Sequence, residues 1–149
     1  MTHRVVHYVD SDTFGGSEEA ALHLMASLDR GRWEPVLLHH PEPGIQRVVD
    51  DAAALGIRAQ VVPRPGGNRF AGVIPLCRAL RAERPAIFHA HLSWPFACKS
   101  GVRAAWLARV PAIVGTAQLY VAPAGGRRPR LVLGLYRRIF AVSEGITMG

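Results

Sequence analysis

The sequence predicts a doubly wound, three-layer α/β domain on a parallel sheet, a Rossmann-like architecture, and three observations predict it. Six short apolar runs recur along the 149 residues, each followed by a helical or turn-like segment. The runs lack the polar alternation of a half-exposed strand, so both faces of the sheet are expected to be covered. Between them, apolar residues return at spacings of three and four, the period of a helix that buries one face.

The elements follow in order. Arg4–Val9 (RVVHYV) is the first strand, and Gly15-Gly16-Ser17 opens a helix with Ser17 as a natural N-cap. Glu18 and Glu19 suit the positive end of that helix dipole, and Ala21, Leu24, Met25 and Leu28 form its inward face. Pro35–His40 (PVLLHH) is the second strand. Ile45–Leu55 is a helix with Ile45, Val48, Val49 and Ala52 inward, closed by Gly56 at the C′ position. Ala59–Val62 is a short third strand, and the loop Pro63–Asn68 (PRPGGN) is the main turn-rich break. A helix then runs to about Arg84, with Pro75 in its first turn or kinking it, Ile74, Cys77 and Leu80 inward, and Arg78 and Arg81 outward. Ala86–His91 (AIFHAH) is strand four, and Ser93 is placed to cap a helix over Trp94–Arg109 with Pro95 in its first turn. Pro111–Thr116 (PAIVGT) is strand five, Gln118–Arg130 a loop, Leu131–Arg138 a short helix and Ile139–Ser143 strand six. Ser143 then looks like the N-cap of one more helix, of which Glu144–Gly149 supplies barely one turn. The chain therefore reads as one half of a larger two-domain protein, cut just past its sixth strand.

Composition narrows the class. Hydrophobic residues make up 49% and charged residues 19%, a globular balance and not a disordered one. No apolar run approaches the roughly 20 residues that span a bilayer, and Met1–Asp10 leads straight into a strand without a leader-like apolar region. A cytoplasmic protein is expected. Cys77 and Cys98 stand alone without metal-ligand spacing and read as reduced thiols in the packed interior. The net charge is +7, and Arg127, Arg128, Arg130, Arg137 and Arg138 cluster near the C-terminus. Such a cluster is either a solvated helix face or a contact for anionic lipid, a phosphorylated substrate or nucleic acid. No aromatics suited to base stacking interleave it, so no nucleic-acid partner is expected.

Two groups of residues could carry chemistry. The glycine pair Gly15-Gly16 before a helix N-terminus lets backbone approach a phosphate. It is neither the dinucleotide fingerprint nor a P-loop, and a plain tight turn explains it equally well. His89 and His91, two apart on a strand, face the same way near the end where ligands bind in open α/β sheets. His91 is the better candidate for acid–base or hydrogen-bonding work, and His89 for a satisfied core histidine. No nearby Cys, Asp or Glu completes a metal site around them, so no metal is expected. His39-His40 also end a strand, but adjacent residues face opposite ways, so packing or solvent is the default reading there. No nucleophile elbow, carboxylate pair or Cys–His pair is present.

Four segments together resemble a known pattern. FGGSEEAALHLMASLDR (Phe14–Arg30) resembles the GG-[AS]-E loop and first helix of family 4 glycosyltransferases, which have the GT-B fold. Arg84–Thr116 resembles, in order, that family's R-P-D-[VI]-[VI]-H-x-H segment, the helix after it and the V-P-x-[VI]-x-T strand. IFAVSEGI (Ile139–Ile146) resembles the [VI]-[IF]-A-V-S-E segment. The order and spacing agree along nearly the whole chain. The resemblance implies an N-terminal, acceptor-side Rossmann-like domain facing a C-terminal domain that holds a nucleotide sugar. It implies that Gly15 and Gly16 approach the donor diphosphate and that His91 lies at the reaction centre. Ser17, Thr116, Gln118, Ser143 and Glu144 would line the site for a sugar or lipid-linked acceptor. Transfer in the family usually retains anomeric configuration and needs no metal or other cofactor, with nucleotide sugar as substrate. The chemistry is then largely positioning and stabilisation of the departing phosphate. The arginine cluster would meet a phosphorylated or lipid-linked acceptor or the inner membrane face. Two departures stand out. Many members carry a His two residues after the strand-five Thr, where this chain has Gln118, which cannot act as a base at neutral pH. The donor domain with its basic phosphate clamp is absent from these 149 residues, so the chain alone is expected to be inactive. Two other classes compete: a non-enzymatic module that binds sugar or pairs with a separate donor subunit, and a flavodoxin-like or dehydrogenase-type cofactor binder that lacks its fingerprint.

Overall fold

A computed structural model describes residues 1–64, 72–94 and 97–118, together with the backbone of 138–141. The elements are β1 (His3–Tyr8), α1 (Gly16–Ser27), β2 (Trp33–His39), α2 (Gln46–Ala54), β3 (Arg58–Val61), α3 (Val73–Glu83), β4 (Ile87–Leu92), α4 (Lys99–Leu107), β5 (Ala112–Ala117) and β6 (Arg138–Ala141). Every strand pairing is parallel, and the sheet order is β3-β2-β1-β4-β5-β6. The doubly wound expectation therefore holds, with all six predicted strands found within a few residues.

The strand order reverses between β1 and β4, and the helices change face there. On one face α1 and α2 cover a core of Val9, Ala21, Leu22, Met25, Leu37, Ile45, Val48, Ala52 and Ile57. On the other, α3 and α4 cover Val6, Tyr8, Val36, Leu38, Leu76, Leu80, Phe88, Ala90 and Val102. Two inward assignments shift by a helical step. Leu24 and Ile74 are exposed, and Leu22, with Val73 and Leu76, takes the buried positions. The apolar stripe of each helix is wider than one residue per turn, so spacing alone does not choose between neighbours on its edge.

Helix ends show where local signals held. Gly56 sits at φ +67°, its N–H donates to Ala53 C=O, and the Ile57 N–H donates to Ala52 C=O. That is the expected C′ glycine, in a Schellman motif. Pro75 lies in the first turn of α3, where it costs no helical hydrogen bond. Two N-caps differ from expectation. Gly15, not Ser17, caps α1. Helix α4 starts at Lys99, not Trp94, because Cys98 adopts a left-handed conformation (φ 60°) and its N–H donates to Asp10 Oδ2 at 2.6 Å. A cap supplied from 88 residues away overrides the local signal of Ser93 and Pro95. The expected helix Leu131–Arg138 lies outside the described residues except at Arg138, which begins β6, and Val142 and Ser143 of the expected sixth strand also lie outside them.

The edge of the sheet opposite the strand C-termini is held by charge. Glu83, at the end of α3, accepts from Arg58 at 2.6 and 2.8 Å, and Arg4 Nη1 stands 3.0 Å from it. Arg4 also bonds Glu34 at 2.8 and 3.1 Å, so β1, β2, β3 and α3 are tied together. The hydrogen bonds from Arg58 hold the Glu83 carboxyl below its ordinary pKa of 4.5. A depressed carboxylate stabilises the fold above its unfolded pKa, and that contribution is lost as pH falls through the folded value. Urea denaturation is thus expected to show stability falling below about pH 4.5, with Glu83→Gln flattening this acid limb and costing about 1–2 kcal/mol at pH 7. An unchanged acid limb in Glu83→Gln would show that the cluster contributes nothing.

Helix α4 rests on the sheet through Gly101. A Cβ there would overlap the Tyr8 ring and come within 2.9 Å of Phe88 Cζ. Gly101→Ala gains about 1 kcal/mol of helix propensity yet is expected to lose more through overpacking, for a net loss of roughly 1–2 kcal/mol. A more stable variant in thermal unfolding would show that α4 can lift without cost.

Candidate functional site

The reversal of strand order opens a crevice at the C-terminal ends of β1 and β4. There the structure has a cleft of about 890 Å3, lined on one side by residues 10–13 and 15–18 and on the other by Ser93, Trp94, Ala97 and Gln118, with Arg64 at its border. Gly15, Gly16, Ser17 and Gln118 are thus brought together as expected. Space around the Gly16 Cα is open, with no atom within 4 Å of an added Cβ. Trp94 leaves 66% of its surface exposed in this cleft.

The helix N-terminus is already served by a carboxylate. Glu18 accepts from the Gly15 N–H at 2.9 Å and from Ser17 Oγ at 2.7 Å, and Ser11 Oγ also donates to it. This is half of a capping box; the reciprocal half cannot form because the cap is a glycine. Glu18 is only 3% exposed. An anion at Gly15 would have to displace it. The lining as a whole is acidic, with Asp10, Asp12 and Glu18 against Arg64, and Arg64 is paired with Glu42 at 2.6 Å.

His91 is placed differently from expectation. It is 2% exposed and is absent from the cleft lining. Strand alternation sends it to the same face as His89 and His7, and it is Ser93 and Trp94, just past the end of β4, that reach the cleft. His7 Nδ1 and His91 Nε2 are 3.0 Å apart, and His89 Nε2 is 2.7 Å from Thr116 Oγ1. Thr116 therefore supports a buried histidine. Burial holds His7 and His91 well below their ordinary pKa of 6.5 and brings His89 to about 4, so all three are neutral at physiological pH. Burial also places His39 and His40 inside: His40 Nδ1 donates to Val62 C=O at 3.0 Å and its Nε2 accepts from Tyr8 OH at 2.8 Å.

Ser143, Glu144, Arg127, Arg128, Arg130 and Arg137 lie outside the described residues, as does the Arg138 side chain. Sequence reasoning missed Asp10, Asp12 and Trp94 in the cleft, and His7 beside His91. The first three follow strand C-termini, where ligands gather, and could have been found by that rule. His7 could not, because its partners lie more than 80 residues away.

The sequence model of the glycosyl transferase 4-like domain matches residues 15–147. No curated protein matches the chain. Among solved structures, Acinetobacter baumannii MurG superposes with a TM-score of 0.68 at 12% identity, over 98% of this chain and 42% of that one. A glycosyltransferase from Rickettsia africae ESF-5 gives 0.63 at 14% identity, over 82% and 31%. The UDP-GlcNAc 2-epimerase from Neisseria meningitidis, solved with UDP-GlcNAc bound, gives 0.59 at 11% identity, over 90% and 39%. The chain thus spans between 31% and 42% of the length of these structures, and at such identities the likeness is one of fold.

Replacing the capping carboxylate tests how the cleft wall is held. Glu18→Ala is expected to cost about 1–2 kcal/mol in urea denaturation, because the Gly15 N–H and two serine hydroxyls lose their acceptor. A loss within the ~0.5 kcal/mol of an ordinary surface change would mean that solvent replaces it freely.

Proposed function

We propose, from the premise that this chain belongs to the glycosyl transferase 4-like domain family, that it is the acceptor-side domain of a glycosyltransferase that draws on a nucleotide-sugar donor. The observation that carries this reading is the cleft at the β1–β4 switch point, with its exposed Trp94 and acidic wall. Carboxylates accept hydrogen bonds from hydroxyl groups, and an indole face takes the apolar face of a sugar ring. Asp12, Ser93 and Gln118 would orient the acceptor, and Trp94 would seat it.

The same wall is a poor place for a diphosphate. The one arginine among its described lining residues, Arg64, is paired, and the Gly15 N–H that a phosphate would use holds Glu18. The charge leaving with the nucleotide would then be stabilised by a second, donor-binding domain, which supports the expectation that the chain alone is inactive. Gly16, open to the cleft, lets that donor approach closely without a backbone contact from Gly15. Retention of configuration and a lipid-linked acceptor held at the inner membrane face by the arginine cluster complete the reading; both rest on the resemblance and on charge. No helix among the described residues is long and apolar enough to cross a membrane.

In this reading His91 acts from beneath the cleft, so His91→Ala is expected to lower stability and turnover together. Two measurements test the assignment. Titration calorimetry of this chain with nucleotide sugars is expected to show no appreciable binding, and tight binding would overturn the division of labour. In the enzyme with its donor domain joined, Trp94→Ala is expected to raise the acceptor KM about tenfold and leave the donor KM within roughly twofold. A rise in the donor KM alone would move this wall to the donor side.

A further inference from the structure

Beneath α1, three imidazoles converge from two adjacent strands. His7 of β1 stands in register with His89 of β4, and His91 follows on the same face of β4. One ring nitrogen from each lies within 4.8 Å of the other two. The ring centroids are 4.4, 5.2 and 5.3 Å apart. All three side chains are buried.

The hydrogen bonding of this cluster is incomplete. His7 Nε2 and His91 Nδ1 are buried without a hydrogen-bond partner. Whichever ring donates in the His7–His91 contact, one N–H and one lone pair are left over, each costing about 1–3 kcal/mol. A packed apolar trio would avoid that cost. Three neutral imidazoles, each with one ring nitrogen within 4.8 Å of the other two, can instead offer those nitrogens to a common ion.

We propose that His7, His89 and His91 form a binding site for a divalent transition-metal ion, of the class of Zn2+, that pins β1 to β4 under α1. The donor set is neutral imidazole nitrogen, with the Thr116 hydroxyl beside it, which suits Zn2+, Co2+, Ni2+ or Cu2+ and not Mg2+ or Ca2+. A tetrahedral ion with nitrogens at about 2.05 Å holds them about 3.4 Å apart. The His7–His91 pair already stands at 3.0 Å, and no pair of the three candidate ligand atoms is more than 4.8 Å apart. Two ligands on β4 and one on the paired strand β1 leave little chain entropy to lose on binding. The site is structural: it is sealed from the cleft and is separate from the proposed sugar-binding residues.

The test uses the 149-residue chain stripped with a chelator. Zn2+ titration is expected to give one ion per chain and to raise Tm by roughly 5–10 °C at a hundredfold excess over Kd. Co2+ should give the visible bands of a low-coordinate nitrogen site. His7→Gln and His89→Gln are expected to weaken binding at least tenfold, whereas a His3→Gln/His23→Gln double variant, which removes the two exposed histidines on β1 and α1, should bind as the parent does. Histidine side-chain NMR on the parent protein settles the case should a variant fail to fold. Zinc must shift the signals of the three buried rings. No binding, an unaltered affinity in a folded His7→Gln, or shifts confined to His3 and His23 would overturn the proposal.

Discussion

The parallel pairing of β1 with β4 is the constraint on which the rest of this molecule depends. It is the one place where the chain, having built outward through β2 and β3, returns to the middle of its sheet and starts in the other direction. Helices before it pack on one face and helices after it on the other, so among the described residues no helix closes the space above the two strand ends. The cleft is a consequence of that topology before any side chain is considered. The side chains then make it specific: Asp10 at the end of β1 reaches over to the N–H of Cys98 and fixes where α4 begins. That contact moves the start of α4 beyond Trp94, leaving the indole on the cleft and not inside a helix.

Much of this was legible because it is local. Six apolar runs gave six strands, the glycine after α2 gave its Schellman motif, and the switch-point rule pointed to the region where Gly15, Gly16 and Gln118 meet. The differences arise where a side chain or the sheet competes with the local signal. Ser17 was outcompeted as a cap because Glu18 swings back to the Gly15 N–H, and Ser93 was outcompeted by a carboxylate far away in sequence. Leu24 and Leu22 differ by half a turn of one helix, and only the sheet beneath decides which is covered. His91 stands near the C-terminal end of β4, yet strand alternation puts it on the buried face with His89 and away from the cleft.

Electrostatics divides the domain into two zones of opposite character. Above the strand ends, Asp10, Asp12 and Glu18 are gathered on one wall, and the nearby arginine is already engaged. Just below, the sheet carries three histidines that burial keeps uncharged. A wall of carboxylates repels phosphate and accepts from hydroxyls, whereas a layer of neutral imidazoles carries no charge and offers nitrogen lone pairs that suit borderline metal ions. The two zones meet along β4, whose residues His89 and His91 face the lower layer while the residues just beyond the strand end, Ser93 and Trp94, face the upper one.

That shared strand has a mechanical consequence. Any force that holds β4 against β1 also fixes the position of the β4–α4 connection, and with it Trp94 and the Cys98 N–H that Asp10 receives. In the described structure the pairing is carried by backbone hydrogen bonds and by a histidine cluster with two ring nitrogens unsatisfied. A cluster left in that condition is the weakest part of an otherwise well-packed layer, since unsatisfied buried polar atoms cost free energy that neighbouring packing must offset. It also lies directly beneath the cleft. The position of the cleft wall around Trp94 is therefore tied to the packing of the three imidazoles beneath it.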